Sequence, residues 1–292
     1  MTTPSASSSG TFLIGGDLPV NRLGLGTMRL VGEGAWGEPS DPIEACLVLR
    51  RAVDMGVTLI DTADAYGPQI AELLIAAALY PYPPGLVITT KGGVTRQGPT
   101  RTEYVGRAGY IIQCVEMSLR RLRLERIDLY QLHRFDPRTP VEETMGALKQ
   151  MQDEGKILHI GLSEVTLAQI EEARKIAPIV TVQNRYSLAD RRHEKVLAGC
   201  QRQNIGFIPW YPLAAGKLLN PHNPLAKKLT EIAARYSATP AQLSLAWLLH
   251  RSPVMLPIPG TSRAAHLEEN IAAAELHLSM DEWAEIDAVA EA

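Results

Sequence analysis

From Leu23 onward the chain repeats one pattern: a short apolar run, a turn, then a helical stretch, at intervals of roughly 25–45 residues. The apolar runs are Leu23–Gly26, Val57–Ile60, Leu86–Thr90, Ile127–Leu132, Leu158–Leu162, Ile179–Gln183, Gly206–Pro209 and Val254–Ile258. Several are continuously apolar rather than alternating, as expected of strands covered on both faces. Parallel strands need long crossovers, which are usually helices, so the rhythm predicts βα units. Eight such units predict an α/β chain closed as a (β/α)8 TIM barrel.

Helix starts are marked by cap residues. Asp41-Pro42, Thr139-Pro140-Val141-Glu142, Thr166-Leu167-Ala168-Gln169 and Thr239-Pro240 read as N-termini, and Gly56 and Gly155 as C-terminal glycines. Two segments fall outside the rhythm. Gly15-Gly16-Asp17 within Thr11–Val20 predicts an N-terminal β-hairpin capping the barrel floor, and Ser279-x-x-Glu282 opens an extra C-terminal helix over Ser279–Ala292. Residues 1–10, MTTPSASSSG, read as a disordered tail, and 11–292 as a single barrel domain.

Composition narrows the function classes. The 292 residues are 46% hydrophobic and 21% charged, with a formal net charge of −3, which argues against a nucleic-acid or acidic-membrane partner. There is no 18-residue apolar run and no signal-peptide pattern at the N-terminus. Cys46, Cys114 and Cys200 are scattered, without metal-ligand or CxxC spacing, so reduced thiols, a cytoplasmic location and no metal site are expected.

In parallel barrels the chemistry sits at the C-terminal strand ends. Read in order, those ends carry Gly26-Thr27, Asp61, Lys91, His133, Ser163, Gln183, Trp210 and Pro259-Gly260, with Tyr66 just beyond Asp61. Asp61, Tyr66, Lys91 and His133 together form a proton-handling set. A free phenol titrates near 10, too high for an efficient acid at neutrality, and a neighbouring ammonium is expected to lower it. A carboxylate would hold that ammonium, and a neutral imidazole could donate a hydrogen bond to a carbonyl oxygen. There is no nucleophile–base pair and no His-x-His or carboxylate cluster, which weakens hydrolase and metallohydrolase readings. Gly260-Thr261-Ser262-Arg263 precedes a helix, where amides and dipole favour an anion. Gly24-Leu25-Gly26 does not continue into GxGxxG, so a Rossmann nucleotide site is not expected.

These residues resemble the aldo-keto reductase family. The likeness runs from about Leu23 to Leu278. It is carried by GLGTM (Gly24–Met28), DTADAYG (Asp61–Gly67), TTKGG (Thr89–Gly93), IDLYQLH (Ile127–His133), GKILHIGLSE (Gly155–Glu164), VQNRYSL (Val182–Leu188), PWYPLAAG (Pro209–Gly216) and PGTSRAAHLEEN (Pro259–Asn270). The resemblance implies reduction of an aldehyde or ketone by NADP(H), with hydride from nicotinamide C4. It makes Tyr66 the general acid, Lys91 and Asp61 its tuning pair and His133 the carbonyl-orienting group. Ser163 and Gln183 match carboxamide contacts, and Trp210 the ring that stacks on nicotinamide. Leu213 and Gly216-Lys217 would lie along the pyrophosphate, Ser262 and Arg263 at the 2′-phosphate, and Glu269 and Asn270 near the adenine. Gly26, Thr27, Met28, Asp61, Gly260 and Thr261 complete the implied cofactor contacts.

Two positions depart from the family pattern. Glu164 stands where asparagine is frequent, and an ionised carboxylate can only accept hydrogen bonds. Gly260 stands where many members carry lysine, which shifts the 2′-phosphate role toward Arg263. The stretch Gly15–Pro39, with GEGAWGEP, is similar to pyridoxal-reductase-like bacterial members. It makes Trp36 a candidate substrate-side aromatic, and Arg134 a candidate contact for an anionic substrate group, beside Tyr66 and His133. The expected partner is a small carbonyl compound, and the sequence is compatible with a monomer. A cofactor-binding regulatory subunit and an unrelated barrel lyase or hydrolase are the alternatives. Turnover of aldehydes separates the first from a reductase, and loss of NADP(H) binding would favour the second.

Overall fold

The computed structural model describes residues 3–213 and 224–291. Seven parallel strands follow the predicted runs: β3 (Leu25–Gly26), β4 (Leu59–Asp61), β5 (Val87–Gly92), β8 (Ile127–Leu132), β9 (Ile157–Ser163), β10 (Ile179–Arg185) and β11 (Gly206–Trp210), hydrogen-bonded in that order. Helices α1 (Pro42–Asp54), α2 (Ile70–Leu79), α3 (Ala108–Leu122), α4 (Val141–Asp153), α5 (Leu167–Arg174) and α6 (Glu194–Arg202) cross between successive strands. Every residue of β4 and β5 is buried, so the apolar first halves of these strands are covered on both faces and the polar groups at their ends, Asp61, Thr89, Thr90 and Lys91, are enclosed too.

The eighth unit closes the ring without a regular strand. Phe207 N–H donates to Val254 O, Leu256 N–H to Phe207 O and Gly24 N–H to Pro257 O, and Gly26 pairs with Gly260 in parallel. Pro257 and Pro259 have no N–H to give, so the ladder expected over Val254–Ile258 is reduced to these bridges. The result is the (β/α)8 barrel. The last loop carries two helices, α7 (Pro224–Arg235) and α8 (Pro240–Arg251), and is followed by α9 (Ala264–Ala272) and the extra α10 (Met280–Glu291). α10 is tied back by Lys228–Glu285, by Tyr236 Oη donating to Glu282 at 2.5 Å and by Trp247 Nε1 donating to Asp287 at 3.0 Å.

The predicted hairpin forms as antiparallel β1 (Thr11–Ile14) and β2 (Leu18–Asn21). Its Gly15 and Gly16 have φ of 66° and 91°, the left-handed turn that glycine accepts without cost. Phe12, Ile14 and Val20 join the main core, and His159 Nε2 lies 2.7 Å from Asp17 Oδ1, so the hairpin covers the end where the barrel strands begin. The tail expected over residues 1–10 is ordered in part. Ala6–Ser9 forms a 3-10 turn, Ala6 is fully buried with its N–H on Met55 O, and Ser9 Oγ accepts from Leu23 N–H at 3.0 Å. Small side chains let this stretch lie flat against the barrel where polarity alone suggested a free tail.

Most caps form as expected. Asp41 accepts from Ile43 N–H and Glu44 N–H, and reciprocal capping boxes join Thr166 with Gln169 and Thr239 with Gln242. Ser279 and Glu282 exchange the same pair of bonds. The Thr139 box does not form: Thr139 Oγ1 donates to Asp136 at 3.0 Å, leaving Pro140 as the N-cap. A second hairpin, β6 (Val94–Arg96) with β7 (Thr102–Tyr104), was not anticipated; it rises from the loop after β5. No helix among the described residues is long and apolar enough to cross a membrane.

Candidate active site

The strand ends form one connected rim. Register pairs Gly26 with Asp61, Asp61 with Thr89, Lys91 with Gln131 and Ser163 with Gln183, and the Gly26–Gly260 bridge returns to the start. At that bridge a Cβ on Gly26 would stand 2.8 Å from Ile258 O, and one on Gly260 2.9 Å from Gly26 O. Only glycines allow this approach, which is a structural reason for Gly260 where lysine was the alternative.

Asp61 is the hub of the rim. It is 2% exposed, and its Oδ2 receives Lys91 Nζ at 2.7 Å. Its Oδ1 receives the Gln183 amide at 2.8 Å and the Gln131 amide at 3.2 Å. A buried carboxylate survives only when its oxygens are satisfied, and here three barrel strands satisfy it. Gln131 was missed from the sequence. Its signal was an amide inside the apolar run Ile127–Leu132, buried at 0% exposure.

Lys91, also fully buried, donates further to Thr62 O at 2.7 Å and reaches Tyr66 Oη at 3.4 Å. Burial alone would lower Lys91, but Asp61 and Tyr66 together hold it above its ordinary value as a fixed cation. Tyr66 corrects the sequence expectation. Burial pushes its phenol above 10, and the opposing pull of Lys91 is smaller and partly cancelled by Asp61. Tyr66 is therefore a protonated phenol across neutral pH. His133 stands edge-on to it, ring centroids 6.1 Å apart. Burial, and then the positive charges of Lys91, Arg134 and Arg96, hold the His133 imidazole well below 6.5, so the ring is neutral. Its Nδ1 is enclosed with no hydrogen-bond partner among the described residues.

Other predicted residues take up specific places. Arg134 Nη1 donates to His133 O at 2.6 Å and to Ser163 Oγ at 2.8 Å, so it braces the rim between β8 and β9. Trp36 is joined to the Tyr66 loop through the parallel Trp36–Gly67 bridge, and the Arg96 guanidinium of β6 lies 5.6 Å from its ring centre. Thr27 Oγ1 donates to Asp61 O at 3.0 Å. Met28 is exposed beside it, and Leu213 packs on the core. At the start of α9, Ser262 and Arg263 are exposed, as is Glu269, while Thr261 and Asn270 are buried. Ala264 N–H already donates to Glu44 at 2.8 Å, so one of the helix-start amides is taken by a carboxylate from α1. Gly216 and Lys217 lie outside the described residues. Among those residues, no three His, Cys, Asp or Glu side chains are grouped to hold a metal.

Behind the Tyr66 loop lies a feature the sequence reading did not single out. Asp64 is 8% exposed and lines a cavity of about 230 Å³ with Arg96, Tyr110, Cys114 and Arg121. Burial first, then repulsion from Glu72, raises its carboxyl from 3.8 to about 7. Folded protein thus keeps this proton where unfolded chain has lost it. The associated stability is complete below 3.8 and disappears as pH rises to about 7. Asp64→Asn has no such dependence. The Tm of wild type is expected to fall relative to Asp64→Asn between pH 4 and 7.5, by the equivalent of about 4 kcal/mol at most. Parallel Tm–pH curves would show that Asp64 ionises freely in the fold.

With this geometry in view, the comparisons with known proteins are direct. The Aldo/keto reductase family profile matches residues 22–291. The chain is 47% identical over 283 residues to an uncharacterised oxidoreductase of Schizosaccharomyces pombe, covering 97% of this chain and 90% of the relative. It is 41% identical over 288 residues to pyridoxine 4-dehydrogenase of Escherichia coli, covering 97% and 99%. Among solved structures, the glycerol dehydrogenase of Gluconobacter oxydans superposes with a TM-score of 0.87 at 25% identity, covering 96% of this chain and 95% of the other. An aldo/keto reductase of Klebsiella pneumoniae, solved with NADP and acetate, gives 0.81 at 28% identity, covering 95% and 94%. The chain belongs to the aldo/keto reductase family and is an oxidoreductase.

Proposed function

We propose that this protein reduces an aldehyde or ketone to an alcohol with NADPH, Tyr66 supplying the proton. The observation that carries the reading is the buried Asp61–Lys91 pair reaching Tyr66 Oη, with a neutral His133 beside it. The rim suits a dinucleotide. Its strand ends converge at the Gly26–Gly260 bridge, and the exposed Ser262 and Arg263 at the start of α9 suit a phosphate. Structures of Klebsiella pneumoniae relatives solved with NADP and NADPH support the same cofactor. When bound, NADPH supplies a hydride.

The protein's own groups do the rest. A neutral imidazole with Nδ1 enclosed offers Nε2–H to a carbonyl oxygen and orients it. Charge builds on that oxygen as the carbonyl is reduced, and the fixed Lys91 cation stabilises it. Tyr66 then gives its proton to the oxygen, because an alkoxide is far more basic than a phenolate, even one whose pKa burial has raised. Lys91, held by Asp61, stabilises the phenolate left behind. Gln131 and Gln183 keep Asp61 from turning away.

NADPH consumption across aromatic aldehydes, pyridoxal, dicarbonyls and keto-sugars tests the activity. NADPH binding without turnover of any carbonyl would favour a regulatory subunit, and absence of binding would sink both readings. Arg263 tests the cofactor preference. Arg263→Ala is expected to raise the KM for NADPH about tenfold, the loss of a charge-assisted phosphate contact, with little effect on NADH. Equal changes for both cofactors would remove Arg263 from the 2′-phosphate role.

A further inference from the structure

Glu164 departs from its surroundings in backbone as well as in residue type. It follows β9 with φ of 56°, a left-handed conformation that costs a long side chain about 1–2 kcal/mol. Strain of this kind persists where neighbouring interactions over-determine it. Here they do: Glu164 N–H donates to Gln183 O at 3.0 Å, and the carboxylate Oε1 accepts from two donors. One is Arg185 N–H at 2.6 Å, at the end of β10; the other is Trp210 Nε1–H at 2.5 Å, at the end of β11. Oε2 lies 3.9 Å from His193 Nε2. One carboxylate therefore ties three consecutive strand ends together. It takes hold of the one polar atom that an indole possesses.

We propose that Glu164 is a positioning residue that fixes the rotation of the Trp210 indole at the rim. The cofactor limb of the proposal rests on reading the strand ends as the nicotinamide site, with Trp210 as the stacking ring. An indole attached only by its Cβ can turn about two side-chain bonds. The tether to Glu164 fixes one edge, while Arg185 lies 5.7 Å from the ring centre and Tyr211 meets it at 69°, centroids 5.6 Å apart. With both near contacts of Oε1 committed inside the protein, Glu164 acts through the aromatic face. It takes no part as an amide-like contact to the cofactor.

The test uses the full-length protein and two readouts. In cofactor-free protein, NMR of the indole N–H groups, with Trp210→Phe assigning the resonance, reads the tether directly. Glu164→Ala is expected to move the Trp210 resonance upfield and speed its exchange with solvent, leaving those of the other tryptophans in place. Glu164→Gln, which keeps an acceptor, should restore most of the shift. In the second readout, NADPH affinity followed by cofactor fluorescence should fall about tenfold in Glu164→Ala, the size of one charged hydrogen bond. It should fall no further in Glu164→Ala/Trp210→Phe than in Trp210→Phe alone. An unmoved indole resonance, or an equal affinity loss in both backgrounds, would overturn the proposal. Wild type that fails to bind NADPH would instead overturn the functional reading, and the resonance would still decide whether the tether exists.

Discussion

Tyr66→Phe is expected to lower kcat for carbonyl reduction by about a hundred- to ten-thousandfold, the range associated with losing a positioned general acid. NADPH affinity should change little, because the ring and its edge contact with His133 remain. Stability should also hold: Lys91 keeps Asp61 and Thr62 O and loses only its longest contact, the 3.4 Å approach to Tyr66 Oη. The pH profile sharpens the test. Since burial raises the Tyr66 phenol above 10 and holds His133 well below 6.5, wild-type kcat should be level from about pH 6 to 9. A decline in that window tracking imidazole protonation would show that His133 titrates normally. Phenylalanine at position 66 with undiminished kcat would end the proton-donor assignment.

Much of this site was legible in the sequence because strand ends are local features. An apolar run followed by Asp61, Lys91 or His133 places the side chain at a rim, and the βα rhythm brings the rims together. What sequence could not supply were partners chosen across the barrel. Gln183 is expected from the family likeness to face the cofactor, yet its amide nitrogen lies on Asp61, 122 residues away in sequence. Ser163 likewise receives Arg134. Glu164 was visible as a departure, but its bond to Trp210 depends on how β9 and β11 flank β10. The same holds for the energetics: a lysine beside a phenol suggests a lowered pKa, and only the enclosed geometry shows that burial wins. Local signals failed where a tertiary contact was stronger. Asp136 outcompetes the helix for Thr139, and the floor of the barrel takes up Ala6–Ser9.

Lys91→Met is expected to be the most damaging single change to the fold of the site. The ammonium and its Asp61 carboxylate are both essentially sealed from solvent, at 0% and 2% exposure. Methionine matches the length of the lysine stem, so the loss is one of charge rather than packing. It strands Asp61 with only two neutral amides, from Gln131 and Gln183. Removing one member of a buried pair costs about 3–5 kcal/mol, whereas removing both is often close to neutral. Lys91→Met should therefore unfold at markedly lower denaturant, and Asp61→Asn/Lys91→Met should regain most of that stability. Activity should follow a different course. If Lys91 is the cation that stabilises the Tyr66 phenolate, both variants should be nearly inactive, and the stable double variant shows that misfolding is not the cause. A Lys91→Met protein as stable as wild type would mean that the buried Lys91–Asp61 pair does not hold the fold together in this way. A double variant with near-normal turnover would show that Tyr66 needs no fixed cation to give up its proton.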